Sequence, residues 1–95
     1  MRILDTHLHL IYPDRFTYGW ISDGHPLNRP WTRDQYFAEA RALGIESALH
    51  MEVDLVEADM IAETAFVTTQ PGVVGAIAAC RPEHDDFAAQ IEAIL

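Results

Sequence analysis

Apolar and polar positions alternate along the chain in three rounds of the same kind. Ile3-Leu4 is a short apolar run ahead of polar Asp5-Thr6 with no helical period, which predicts a buried strand over residues 2–6. Residues 10–31 then hold Pro13, Gly19, Gly24, Pro26 and Pro30, a density of breakers that no regular element tolerates, so this stretch is a long loop. Thr32 followed by Gln35 is a capping-box pattern and opens a helix over 32–43, with Tyr36, Phe37, Ala40 and Leu43 on one face and Gly44 as its C-terminal cap. Ile45, Ala48, Leu49, Met51 and Val53 mark a second strand over 45–53.

Asp54 with Glu57 repeats the capping pattern. A helix is expected over 55–70, carrying Val56, Met60, Ile61, Ala62, Ala65, Phe66 and Thr69 until Pro71-Gly72 stops it. A third strand follows over 73–80, and Phe87, Ile91, Ile94 and Leu95 place an apolar stripe on a last helix over 83–95. Strands that alternate with helices specify a parallel α/β sheet with right-handed crossovers. Three βα units are expected in one domain.

Composition sharpens this. Hydrophobic residues make up 49% of the 95 and charged residues 22%, the balance of a folding core. With 6 basic and 15 acidic residues the net charge is −9, which disfavours nucleic acid and anionic membrane as partners. Neither a Lys/Arg-flanked leader pattern nor an apolar run of membrane-spanning length is present, and the expected compartment is the cytoplasm. Cys80 is the single cysteine, which excludes an internal disulfide and marks it as a small core residue.

Candidate chemistry concentrates at Asp5-Thr6-His7-Leu8-His9. Residues two apart on a strand point the same way, so His7 and His9 would stand side by side at its C-terminal end, where two neutral imidazoles can close on one divalent ion. The loop behind them contains Tyr12, Phe16, Tyr18, Trp20 and Trp31, five of the nine aromatics. These rings either form a lid over the His pair or pack the loop onto the strand ends. At the second strand end His50, Glu52 and Asp54 alternate, and one of them can reach the same mouth; at the third, Arg81 can fork onto a carboxylate or pair with Glu83. His25 and His84 lie in polar turns and are expected to be solvated.

The segment Asp5 to His9, with Pro13-Asp14-Arg15-Phe16, Pro26-Leu27-Asn28-Arg29-Pro30 and Ala79-Cys80-Arg81-Pro82-Glu83, resembles the amidohydrolase superfamily, in the amidohydrolase-related branch that includes sugar-acid lactonases. The resemblance runs over essentially the whole chain. It implies a partial (β/α)8 TIM barrel, the first three βα units of a fold that takes about 250 residues, so that residues 1–95 form an N-terminal fragment of one barrel domain. It implies further that His7 and His9 are metal ligands, zinc being the expected ion, although relatives in this branch also work without a metal, in which case the pair binds substrate. The implied substrate is a lactone, a carboxylated one if Arg81 takes part; from the residues themselves, Trp20 in the aromatic loop and Glu52 at the second strand end are the further candidate substrate contacts. The superfamily's other ligands and its base come from later strands, so the 95 residues alone are expected to be inactive.

Two other functions fit the residues. A metal-dependent nuclease or phosphoesterase barrel also begins with Asp-Thr-His-x-His, and a free-standing βα module would bind a small molecule or a partner without catalysis. An open three-stranded sheet, finally, leaves backbone edges and inner faces uncovered, including Ile3, Ala48, Val74 and Ala76 or their neighbours, and the isolated chain is expected to be marginal and to self-associate or aggregate.

Overall fold

The computed structural model describes residues 1–95. Its sheet has three strands, β1 (Ile3–Leu8), β2 (Ile45–Met51) and β3 (Val73–Ile77), all parallel and in the order β1-β2-β3. Helix α1 (Arg33–Ala40) runs on through a 3₁₀ turn to Leu43 and connects β1 to β2; α2 (Met60–Val67) connects β2 to β3; α3 (Phe87–Ile94) follows β3. This is the expected partial βα barrel architecture of three units. The molecule is an open slab, 45 × 33 × 17 Å, and its radius of gyration of 14.2 Å exceeds the ~12.4 Å of a compact chain this long. No helix is long and apolar enough to cross a membrane.

The first helix starts where its cap dictates. Thr32 is in extended conformation, its hydroxyl accepts from the Gln35 amide, and the Gln35 side chain accepts from the Thr32 amide at 3.0 Å. Gly44 closes the turn with a left-handed φ of 84°, which a β-carbon would strain. Phe37 and Ala40 then pack with Leu8, Leu10, Ala48 and Val73 into one core cluster, whereas Leu43, expected on the same face, is 73% exposed because the 3₁₀ turn rotates it outward.

Elsewhere the elements are shorter or displaced. β1 extends to Leu8, so His7 lies inside the strand and His9 just beyond it. β2 stops at Met51 because the chain turns through Asp54, which adopts φ 51° and donates its amide N–H to Glu52 Oε2 at 2.7 Å. The expected cap by Asp54 and Glu57 is therefore absent. A 3₁₀ turn at Glu57–Asp59 precedes α2, and Asp59 spends its carboxylate on the Thr17 amide at 2.8 Å.

The buried face of α2 is Met60, Glu63 and Val67, not the stripe through Ile61, which is exposed. β3 ends at Ile77 and α3 begins at Phe87, after turns in which the His84 amide bonds Arg81 and the Phe87 amide bonds His84. Cys80 is half-buried rather than in the core. Of the faces expected to lie open, Ile3 and Val74 are exposed and Ala76 is partly covered, but Ala48 is fully buried, since its side of β2 carries the α1 cluster.

Candidate functional site

The long loop is folded, not loose. Ile11 and Trp31 exchange both backbone hydrogen bonds, at 2.9 and 2.8 Å, which closes the loop at its base. The Tyr12 hydroxyl accepts from the Arg33 amide and the Tyr18 hydroxyl from the Tyr12 amide, both at 2.9 Å. Burial pushes the Tyr18 phenol up to about 12 and the Tyr12 phenol up as well, so both remain protonated pegs. Ile11, Phe16, Tyr18, Val53 and Leu55 form a second core cluster, with Phe66 edge-on to Tyr12 and Phe16. The five loop aromatics thus divide. Tyr12, Phe16 and Tyr18 pack the loop down, while Trp20 and Trp31 line a cavity.

The strand ends beneath the loop are clasped by a reciprocal pair of histidines. His9 Nδ1 lies 3.0 Å from the carbonyl oxygen of Met51, and His50 Nε2 accepts from the Leu10 amide at 3.3 Å, so each strand end is held by an imidazole from the other. His50 is 1% exposed; burial, aided by the neighbouring His9, lowers its pKa to about 4 and keeps it neutral. It holds the backbone and does not reach the cavity.

The His9 bond has a chemical consequence. A carbonyl can only accept, so Nδ1 of His9 carries the proton and Nε2 presents its lone pair. That Nε2 stands 3.0 Å from His7 Nε2, so with no ion between them His7 donates to His9. Two imidazoles on one ion at ~2.05 Å, with an angle of about 90–110°, place their nitrogens roughly 2.9–3.4 Å apart, so the observed pair fits two adjacent ligand positions. The Met51 carbonyl behind His9 fixes the orientation of its ring. Asp5 orders the strand before the pair: its carboxylate accepts from the His7 amide at 2.9 Å and from the Tyr36 hydroxyl at 2.6 Å. The Tyr36 bond, then the His7 bond, hold the Asp5 carboxyl below its usual range. No group of three or more His, Cys, Asp and Glu side chains is arranged to hold a metal ion, and the pair stands without a third such neighbour.

His9 also forms the rim of a cavity of about 470 Å³ whose walls are Trp20, Trp31, Leu27 and Val53 and whose polar groups are Glu52 and Asp54. Trp20 donates its indole N–H to the Val53 carbonyl at 2.9 Å, which fixes the ring against the segment that carries both carboxylates. A neighbouring space of about 420 Å³, lined by His9, Trp31, Gln35 and Tyr36, lies on the α1 side. Trp31 separates the two, with Arg29 stacked 3.9 Å from its ring and its indole N–H buried without a partner.

Of the residues singled out from the sequence, His9, Trp20 and Glu52 therefore meet at one cavity and His7 adjoins it through His9. Arg81 does not. Its guanidinium bonds Glu57 at 3.3 Å, not Glu83, approaches Asp54 at 3.8 Å, and lines a separate cavity of about 140 Å³ together with His84. His25 is partly buried, accepts from the Leu27 amide at 3.0 Å and sits edge-on to Trp20, so it is a loop brace rather than a solvated residue. Glu63 escaped the sequence reading altogether. It is buried at 1% exposure beneath the loop cluster with Oε2 unpartnered, and burial raises its pKa to about 7 against a backbone hydrogen bond from Val53. Its only signal was the i, i+3, i+7 spacing of Met60, Glu63 and Val67.

No protein-family model matches the sequence, and no curated relative matches it. Among solved structures, amidohydrolase 2 from Bifidobacterium longum subsp. infantis superposes with a TM-score of 0.66 over 81% of this chain at 20% identity. The likeness is one of fold. The chain spans 32% of that protein's length, about a third, which accords with three units of a larger α/β barrel.

Proposed function

We propose that the chain is the N-terminal portion of a metal-dependent hydrolase that opens a lactone or a related cyclic carbonyl compound, with His7 and His9 as two of the ligands of a divalent ion, zinc by preference. The observation that supports it most is the pair of imidazole nitrogens 3.0 Å apart, one already fixed through its far nitrogen, on the rim of an aromatic cavity at the C-terminal end of a parallel sheet. Active sites of βα barrels lie at that end.

When bound, the ion supplies a Lewis acid and a water of lowered pKa. The chain's own residues do the rest. His7 must carry its proton on Nδ1 to offer Nε2, while His9 is held in the required form by Met51. Trp20 and Trp31 wall the substrate from water, and Glu52 and Asp54 accept hydrogen bonds from its polar substituents. The remaining ligands and the base belong to βα units beyond the three described.

Two measurements test this. Calorimetry of zinc binding to the 95-residue chain should give an affinity in the micromolar range or weaker, reduced at least tenfold in His7→Ala and in His9→Ala. Zinc binding unchanged in both variants would remove the reading. Hydrolysis of aldonolactones by this chain with zinc or manganese should stay at the level of the doubly substituted control, and turnover far above that control would show a centre already complete.

A further inference from the structure

The charge around the aromatic cavity bears on what it admits, and it bears against a carboxylated ring. Its polar lining is His9, Glu52 and Asp54: two carboxylates and no cationic side chain. The two nearest guanidiniums are committed elsewhere. Arg29 lies over Trp31 on the side of the neighbouring cavity. Arg81 is bonded to Glu57 at 3.3 Å and lines a different cavity, so its 3.8 Å approach to Asp54 offsets one carboxylate only in part. Glu52 is held by one oxygen, Oε2, on the Asp54 amide, which points the carboxylate in a set direction and leaves the second oxygen without a protein hydrogen bond.

A ligand carboxylate entering this space would meet two like charges. An ammonium would meet opposite charge together with two indole rings, of which Trp20 is 44% exposed and fixed in place through its N–H. The chain's net charge of −9 works in the same direction at long range. Arg29 already shows an indole of this wall holding a cation at 3.9 Å.

We infer that, with no ion at His7 and His9, the cavity formed by Trp20, Trp31, Glu52 and Asp54 prefers a cyclic ester or amide that carries an ammonium group over the carboxylated counterpart. The inference rests on the proposed function for the ring and adds the charge of its substituent.

The chain's two tryptophans both line this cavity, so intrinsic fluorescence reports binding there. Three lactams of one ring size separate the contributions: 3-aminopyrrolidin-2-one, 2-pyrrolidone and pyroglutamate, titrated without metal at low ionic strength. The expected order of affinity is ammonium, neutral, carboxylate, with about tenfold between the first and the last, narrowing as salt is added. Glu52→Gln with Asp54→Asn, which keeps both shapes and suits the left-handed backbone of residue 54, should bring the ratio close to one.

Pyroglutamate binding as tightly as the amine, or more tightly, would overturn the charge assignment and leave a ring site standing. An amine preference that survives the double substitution would overturn the assignment to this cavity. Failure of all three lactams to bind at tens of millimolar would overturn the site and the cyclic-carbonyl reading together.

Discussion

The central strand β2 with the folded loop, and the β3–α3 unit, carry similar apolar content and are covered to different degrees. Every buried residue lies between Leu8 and Val73, while α3 buries none of its side chains and Val74 and Ile77 on β3 are 64% and 44% exposed. The difference is what lies on each side. β2 has strands on both flanks, α1 beneath it and the folded loop across its end, whereas β3 has an open edge and packs against α2, on which α3 rests. An apolar stripe produces burial only where a second layer is present to meet it.

The largest effect that would sharpen this contrast is truncation in the covered half. Phe37 is 2% exposed in the α1 cluster and meets Gly72, where an added β-carbon would sit 2.8 Å from its ring. Phe37→Ala should cost about 3–5 kcal/mol and Ile91→Ala on α3 under about 1 kcal/mol in urea unfolding. Equal costs would mean that α3 is covered in solution.

Next comes the pH response of the loop cluster. Glu63 is held near 7 in the fold against an ordinary 4.5, so the fold binds its proton more tightly, and stability is full below pH 4.5 and falls as pH rises toward 7. His50, lowered from 6.5 to about 4, does the reverse: its contribution is full above pH 6.5 and fades as pH falls toward 4. The two slopes oppose each other between pH 4.5 and 6.5. Glu63→Gln removes one of them, and between pH 5 and pH 8 the variant should gain on the parent chain by up to about 3 kcal/mol. The same difference at both pH values would show that Glu63 is ionised in the fold.

The smallest change in stability is expected at the open edge. Val74→Lys should leave unfolding within about 0.5 kcal/mol, yet reduce self-association, since β3 presents unpaired backbone and apolar surface to a second chain. Sedimentation velocity over a range of concentrations checks this, and a parent chain that remains monomeric throughout would contradict the expected association.

Much of this molecule follows from local rules. Thr32 and Gln35 cap α1 whatever surrounds them, Gly44 and Pro71-Gly72 end segments because few other residues accept the required backbone, and the period of apolar positions separates strands from helices. The His7 and His9 pairing is local as well, since a strand period of two places them together. The sequence could not reveal which side of each element would be covered, because burial depends on partners remote along the chain. Ala48 and Val74 are both small aliphatic strand residues, yet one is fully buried and the other mostly exposed.

The same dependence governs the polar groups. His50 braces Leu10, Asp59 anchors Thr17, and Arg81 turns to Glu57, each through a partner 24 to 42 residues away. Glu63 lies inward because loop aromatics close over α2. Hydrogen bonds and desolvation of this kind arise only when distant segments meet, and they, not the residue types alone, set which carboxylates and imidazoles face the cavity.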